Sequence, residues 1–207
     1  MDIGKLIPTI IAFITAVLLP FFLSKRKKEG HKQFEEFCRH LPGIGVRFTE
    51  LDKKSEQAKL IKKISRAQKS EGVVALEQNN IDFIIVISVA SQYGVNYYIE
   101  YLVKTTLNLR EEPPKKTKLV KKKSSLFGGK VVDIVWKGDQ YLAQRLNLDY
   151  ELKHRLLQTD LNKFKGSILI IPERKHGYTR IKTSFNLPSP DMFYTIDSIA
   201  KYLKSGM

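Results

Sequence analysis

The chain has a single cysteine, Cys38, in 207 residues. That excludes an intramolecular disulfide framework and fits a reducing compartment. It is short of acid: 21 Asp and Glu stand against 36 Lys and Arg, a formal net charge of +15. Such an excess points to anionic partners, whether lipid headgroups, nucleic acid or acidic proteins. Charge is missing altogether between Leu6 and Leu23, in LIPTIIAFITAVLLPFFL. Catalytic signatures are missing too. There is no GxSxG elbow, and LPGIG and FGGK lack the spacing of a phosphate-binding loop and read as turns. No internal repeat of fixed period occurs. A disordered chain is excluded by the 43% hydrophobic content.

The uncharged run is what the sequence does have. As a helix it rises roughly 27 Å, and with Ile3, Gly4 and a snorkelling Lys5 it reaches across a bilayer. Pro8 falls in its first turn and Pro20 near its end, where each is tolerated. It stops at PFFLSKRKK, bulky where a signal-peptide cleavage site needs small residues. Lys25, Arg26, Lys27 and Lys28 follow at once and set a topology with the N-terminus outside and the remainder in the cytoplasm.

The fold class predicted is α+β: one N-terminal transmembrane helix followed by a soluble mixed α/β domain, which a lysine-rich linker divides into two sub-domains. The anchor covers residues 1–24. A basic juxtamembrane amphipathic helix covers 25–42, with Phe34, Phe37, Cys38 and Leu41 at helical spacing, and either lies on the membrane or packs on the domain. An α+β sub-domain covers 43–109. In it Asp52 opens a helix running to about Lys69, closed by Gly72. Ile81–Ala90 is a strand covered on both faces, joined by a turn at Ser91–Gly94 to a strand with its apolar residues on odd positions. Residues 110–130 have too little apolar surface to order and read as a linker or mobile loop. Residues 131–207 read β-α-α-β-β-α, with Asp139, Asp149 and Ser189–Pro190 at helix starts.

Candidate sites are few. His31, Cys38 and His40 lie close together without CxxC or HxxxH spacing, so no metal or cofactor is expected. Glu173-Arg174-Lys175, with Asp133, Asp149 and Asp160 upstream, is similar to the metal-binding triplet of restriction-endonuclease-like nucleases. That resemblance implies Mg²⁺ held by carboxylates, with Lys175 beside the phosphate; it covers the triplet alone, and an ordinary solvated turn looks the same. Tyr178, Arg180 and Lys182 would share one strand face suited to a nucleic acid, with Tyr97, Tyr98 and Tyr101 as further rings. Lys115, Lys116, Lys118, Lys121, Lys122 and Lys123 offer a contact for anionic lipid or an acidic partner, or simply a solvated loop.

The expectation is therefore a single-pass membrane-anchored protein whose basic cytoplasmic domain is a non-enzymatic scaffold or subunit of a membrane-associated complex. Its partners would be the bilayer and a protein or a second copy, with no small-molecule substrate. A tethered binder of nucleic acid or acidic lipid and a metal-dependent nuclease-like hydrolase are the alternatives.

Overall fold

The computed structural model describes residues 29–67, 69–92, 94–105, 115–124, 129–159, 161 and 167–205. The first described residues, 29–43, are helical and are called α1. There follow β1 (Phe48–Glu50), α2 (Glu56–Ser65), β2 (Lys69–Leu76), β3 (Phe83–Ser91), β4 (Gly94–Lys104), β5 (Thr117–Lys123) and β6 (Val131–Lys137). The chain continues through α3 (Gln140–Leu148), α4 (Tyr150–Gln158), β7 (Leu169–Glu173), a 3₁₀ turn (Arg174–His176), β8 (Tyr178–Ser184) and α5 (Pro190–Lys204).

All eight strands form one sheet in the order β1-β2-β3-β4-β8-β7-β5-β6. Every pairing is antiparallel. This corrects the expected mixed domain with two sub-domains. The halves are joined where β4 pairs with β8, from Tyr98↔Ser184 to Lys104↔Tyr178. Residues 110–130 are also corrected, because Thr117–Lys123 within them is strand β5. The transmembrane part of the expected fold has no counterpart among the described residues. No helix there is long and apolar enough to cross a membrane, and residues 1–28, on which that expectation falls, lie outside them.

The two faces of the sheet are covered differently. On the front, α1, α3, α4 and α5 share a core with Ile84, Val86, Ile99, Tyr101, Val103, Leu119, Ile134 and Ile181. Phe34, Phe37 and Leu41 are buried there, so α1 packs on the domain. A Cβ on Gly72 would meet the Phe34 ring at 2.2 Å, so this strand position has no room for a side chain. Gly45, at φ 79°, ends the helix by turning into the left-handed region. On the back, α2 is the one described helix that supplies cover: Ile61 and Ile64 lie on Val73, Ile85, Ile87 and Leu102. Each such fully buried side chain contributes about 1.5–3 kcal/mol.

Local signals explain the elements that were foreseen. β3 is buried on both faces, and β4 places Ile99, Tyr101 and Val103 in the front core. Asp139, Asp149 and Ser189 each accept a hydrogen bond from a backbone N–H of the helix they open, those of Leu142, Leu152 and Met192. Two details differ. α2 is capped by Ser55, which accepts from Ala58 N at 3.1 Å, while Asp52 binds Lys54 N just before it. Gly72 ends no helix but sits inside β2, where the bulge between Ser70 and Gly72 turns Glu71 toward Ser88.

Candidate functional site

The centre of the back face holds a buried charged cluster. Leu102 pairs with Arg180 across β4 and β8, and Arg180 pairs with Ile171 on β7. The Arg180 side chain is therefore pinned between strands and is only 6% exposed. Its Nη1 donates to Glu100 Oε1 at 2.9 Å and to the Ser65 carbonyl at 3.0 Å. Its Nη2 donates to Glu173 Oε1 at 2.5 Å. Glu100 also accepts from the Ser65 hydroxyl, and Glu173 from Arg66. Lys182 stands 3.7 Å from Glu100 with its ammonium 4.1 Å above the Tyr98 ring. The cluster thus ties the C-terminal end of α2 to β4, β7 and β8.

These contacts decide what the two strand motifs can do. Arg180 and Lys182 do share a face, but the guanidinium is enclosed and engaged rather than presented. Both Glu173 carboxylate oxygens are held by guanidinium groups. Lys175 is exposed on the 3₁₀ turn. Asp133 lies toward the opposite end of the strands, held by Lys122 and Lys153, and Asp149 caps α4. Asp160 lies outside the described residues. No group of three or more His, Cys, Asp or Glu side chains among the described residues is placed to hold a metal ion. His31 faces Glu35 and His40 bonds the Pro188 carbonyl, each apart from Cys38. Burial pushes the Cys38 thiol up to about 12, helped by Glu50 and Glu35, so the thiolate is scarce.

A cleft of about 470 Å³ between α4 and α5 is lined by Asp149, Glu151, Arg155, Ser198, Lys201 and Tyr202. Its charges are largely used internally. Asp149 accepts from the Tyr202 hydroxyl, which holds that phenol above its ordinary value, and Glu151 pairs with Arg155.

The lysines of 115–123 are not one cluster. Lys115 and Lys116 precede β5, whereas Lys122 and Lys123 end it, about 20 Å away at 3.3 Å per residue. Lys121 turns to the front and donates to the Leu161 carbonyl, and burial lowers its pKa, with Lys123 adding to the effect. Lys118 and Lys122 point to the back with Val120 between them. There they join residues that the sequence pattern did not single out. Lys182, Leu169, Lys118 and Lys137 form one row across β8, β7, β5 and β6. Around them Ile171, Val120 and Val135 are half-buried. The helices that pack on these strands, α3, α4 and α5, all lie on the front. Among the described residues no helix covers this half of the back face. It is a basic, half-apolar sheet surface beside the charged seam. Only strand register could have found it, because its lysines come from three separate strands.

The topology residues Lys25, Arg26, Lys27 and Lys28 lie outside the described residues. Comparison with protein-family models, curated proteins and solved structures finds no match to this chain.

Proposed function

We propose that this chain is a non-enzymatic assembly module, attached to a membrane through its apolar N-terminal sequence, whose basic sheet face, free of any described helix, docks an acidic protein partner. The observation that carries this reading is the row Lys182–Leu169–Lys118–Lys137 on a sheet half with no described helix over it. Lysine ammoniums ringing half-exposed aliphatic side chains suit a partner that supplies both carboxylates and apolar contacts. A single-stranded nucleic acid would need exposed rings to stack its bases. The residues here are Val, Leu and Ile, and Tyr98 nearby is already under the Lys182 ammonium.

Membrane attachment is supported by the uncharged run Leu6–Leu23 and the adjacent Lys25–Lys28 cluster. On the positive-inside rule the described domain then sits in the cytoplasm, at the cell membrane, with the N-terminus outside. The bilayer and one acidic protein are the partners in this reading, and no small-molecule substrate or cofactor enters it.

The test is isolation of the full-length protein from its native membrane in mild detergent, beside Lys118→Glu/Lys137→Glu. Expected is a stoichiometric protein that stays bound at moderate salt with the wild type and is lost with the variant, at unchanged thermal stability. Recovery of salt-labile RNA alone, or a partner retained by the variant, overturns the reading.

A further inference from the structure

The place where the chain enters the sheet orients the whole domain. Near the start of the described part of α1, Gly30 lies against Glu71: a Cβ there would sit 2.4 Å from the Glu71 carboxyl carbon. Glu71 is near the start of β2 and accepts from the Ser88 hydroxyl on β3 at 2.6 Å. Strand register then extends this position across the molecule. Val73, Ile85, Glu100, Lys182, Leu169, Lys118 and Lys137 form one row from β2 to β6.

From that row β3 and β4 continue to their tip at Ser91 and Gly94. β5 and β6 continue in the same direction to Lys123 and Val131. At 3.3–3.4 Å per residue the two tips extend about 20 and 17 Å beyond it. β2 begins in that direction too, at Lys69. The first described residues of α1 and the strand ends at Ser91, Gly94, Lys123 and Val131 therefore share one end of the sheet. The β2–β3 turn at Glu77–Asn80 and the 3₁₀ turn at Arg174–His176 lie at the other.

The shared end is basic and partly apolar. Lys32, Lys123 and Lys130 are exposed there and make no ion pair with another described residue. Val132, beside the β5–β6 tip, is 57% exposed. The far end is basic as well, with Lys115, Lys116, Arg174 and Lys175 exposed, so charge alone does not choose between them. Chain continuity does: the 28 residues ahead of Glu29 include the Leu6–Leu23 run and enter the domain at the hairpin end.

We infer that this end of the sheet, with Ser91, Gly94, Lys123 and Lys130 foremost, docks on an anionic bilayer surface. The inference rests on the membrane attachment proposed above. It places Lys123 and Lys130 within a Debye length of the headgroups, about 10 Å, where each adds roughly fivefold to the docked population. The back face with Lys118, Lys137 and Lys182 then stands roughly perpendicular to the membrane, open sideways to a protein partner.

The experiment uses full-length protein in phosphatidylcholine–phosphatidylglycerol vesicles. A fluorophore is placed on Ser91→Cys for the hairpin end, and on Lys175→Cys for the far end, both exposed positions. Half-buried Cys38, with its raised pKa, reacts slowly beside these exposed thiols. Quenching by lipids brominated near the headgroup reports proximity. Expected is strong quenching at Ser91 and little at the far end. Charge reversal in Lys123→Glu/Lys130→Glu should weaken the Ser91 signal by about 25-fold or more. Equal quenching at both ends, in protein that still floats with the vesicles, overturns the docking and leaves attachment standing. An undiminished Ser91 signal in phosphatidylcholine alone overturns the anionic surface. Protein that fails to float with the vesicles overturns the attachment, and the docking with it.

Discussion

On the back of the sheet, β2–β4 present Val73, Ile85, Ile87 and Leu102, and the Ile61/Ile64 stripe of α2 closes over them. The other half, β8–β6, presents Lys182, Lys118, Lys122 and Lys137 around Leu169, Ile171, Val120 and Val135. Both halves obey the same two-residue alternation, and both are buried on the front. What separates them is the composition of the back-facing positions. Where Val73, Ile85, Ile87 and Leu102 dominate, a helix with one apolar stripe gains more from burial than its ordering costs. Where Lys182, Lys118, Lys122 and Lys137 stand among the aliphatic residues, a covering helix would have to desolvate ammonium groups at a cost that offsets the apolar gain. The seam between the halves is where the buried cluster of Arg180, Glu100 and Glu173 sits, neither apolar nor solvated.

The seam should be the most sensitive place in the molecule. Arg180→Met leaves Glu100 and Glu173, both buried, without their shared cation. Removing one partner of a buried pair typically costs about 3–5 kcal/mol. Urea unfolding of the variant should show a loss of that size. A cost below about 1 kcal/mol would mean that Arg66 and Lys182 can replace it, and that the seam is softer than its geometry indicates.

The covered half comes next. Ile61 is fully buried under α2, and Ile61→Ala should cost about 2–5 kcal/mol. Val120→Ala on the uncovered half, where the side chain is only half-buried, should cost less than about 1 kcal/mol. Equal costs for the two, measured in parallel unfolding curves, would erase the distinction between the halves.

A smaller effect belongs to Asp133, at the margin of the uncovered half. Lys153 and Lys122, with the Ile134 N–H, hold its carboxyl well below the usual carboxylate value of 3.8. A depressed folded-state pKa contributes stability above the unfolded value, and this is lost as pH falls below about 4. Asp133→Asn should therefore flatten the acid limb of the stability profile and leave the alkaline limb unchanged. The side chain is 30% exposed, which keeps the effect modest.

The same contrast explains what the sequence reveals and what it conceals. Strands β3 and β4 are legible because their apolar residues fall at positions that both faces of the sheet bury. Helices α3, α4 and α5 announce themselves through Asp139, Asp149 and Ser189–Pro190. Strand β5 is hidden, since in TKLVKKK only Thr117 and Leu119 are buried and the lysines resemble a solvated loop. Strand β2 is hidden by Gly72, which reads as a helix stop yet is required beneath Phe34. The buried cluster could not be foreseen either. Glu173, Arg180 and Lys182 were visible as charged residues, but Glu100 and Arg66 join them only through the β4–β8 pairing and the end of α2. Strand order decided which charges meet, and no local pattern encodes strand order.

The gentlest prediction also bears most directly on why the uncovered half is basic. Lys118 and Lys137 are direct cross-strand partners on adjacent strands. Like charges placed opposite each other are destabilising, by an amount on the order of 0.2–1 kcal/mol. Folding alone therefore gives no reason to keep both. Lys137→Glu should stabilise the protein slightly at low ionic strength, and the gain should fade as added salt screens it. In the same variant, capture of the acidic partner should fall. A mutation that strengthens the fold while weakening capture would separate the two roles of this surface. Should Lys137→Glu instead destabilise the domain, the lysine row has a structural duty, and its case as a docking face weakens accordingly.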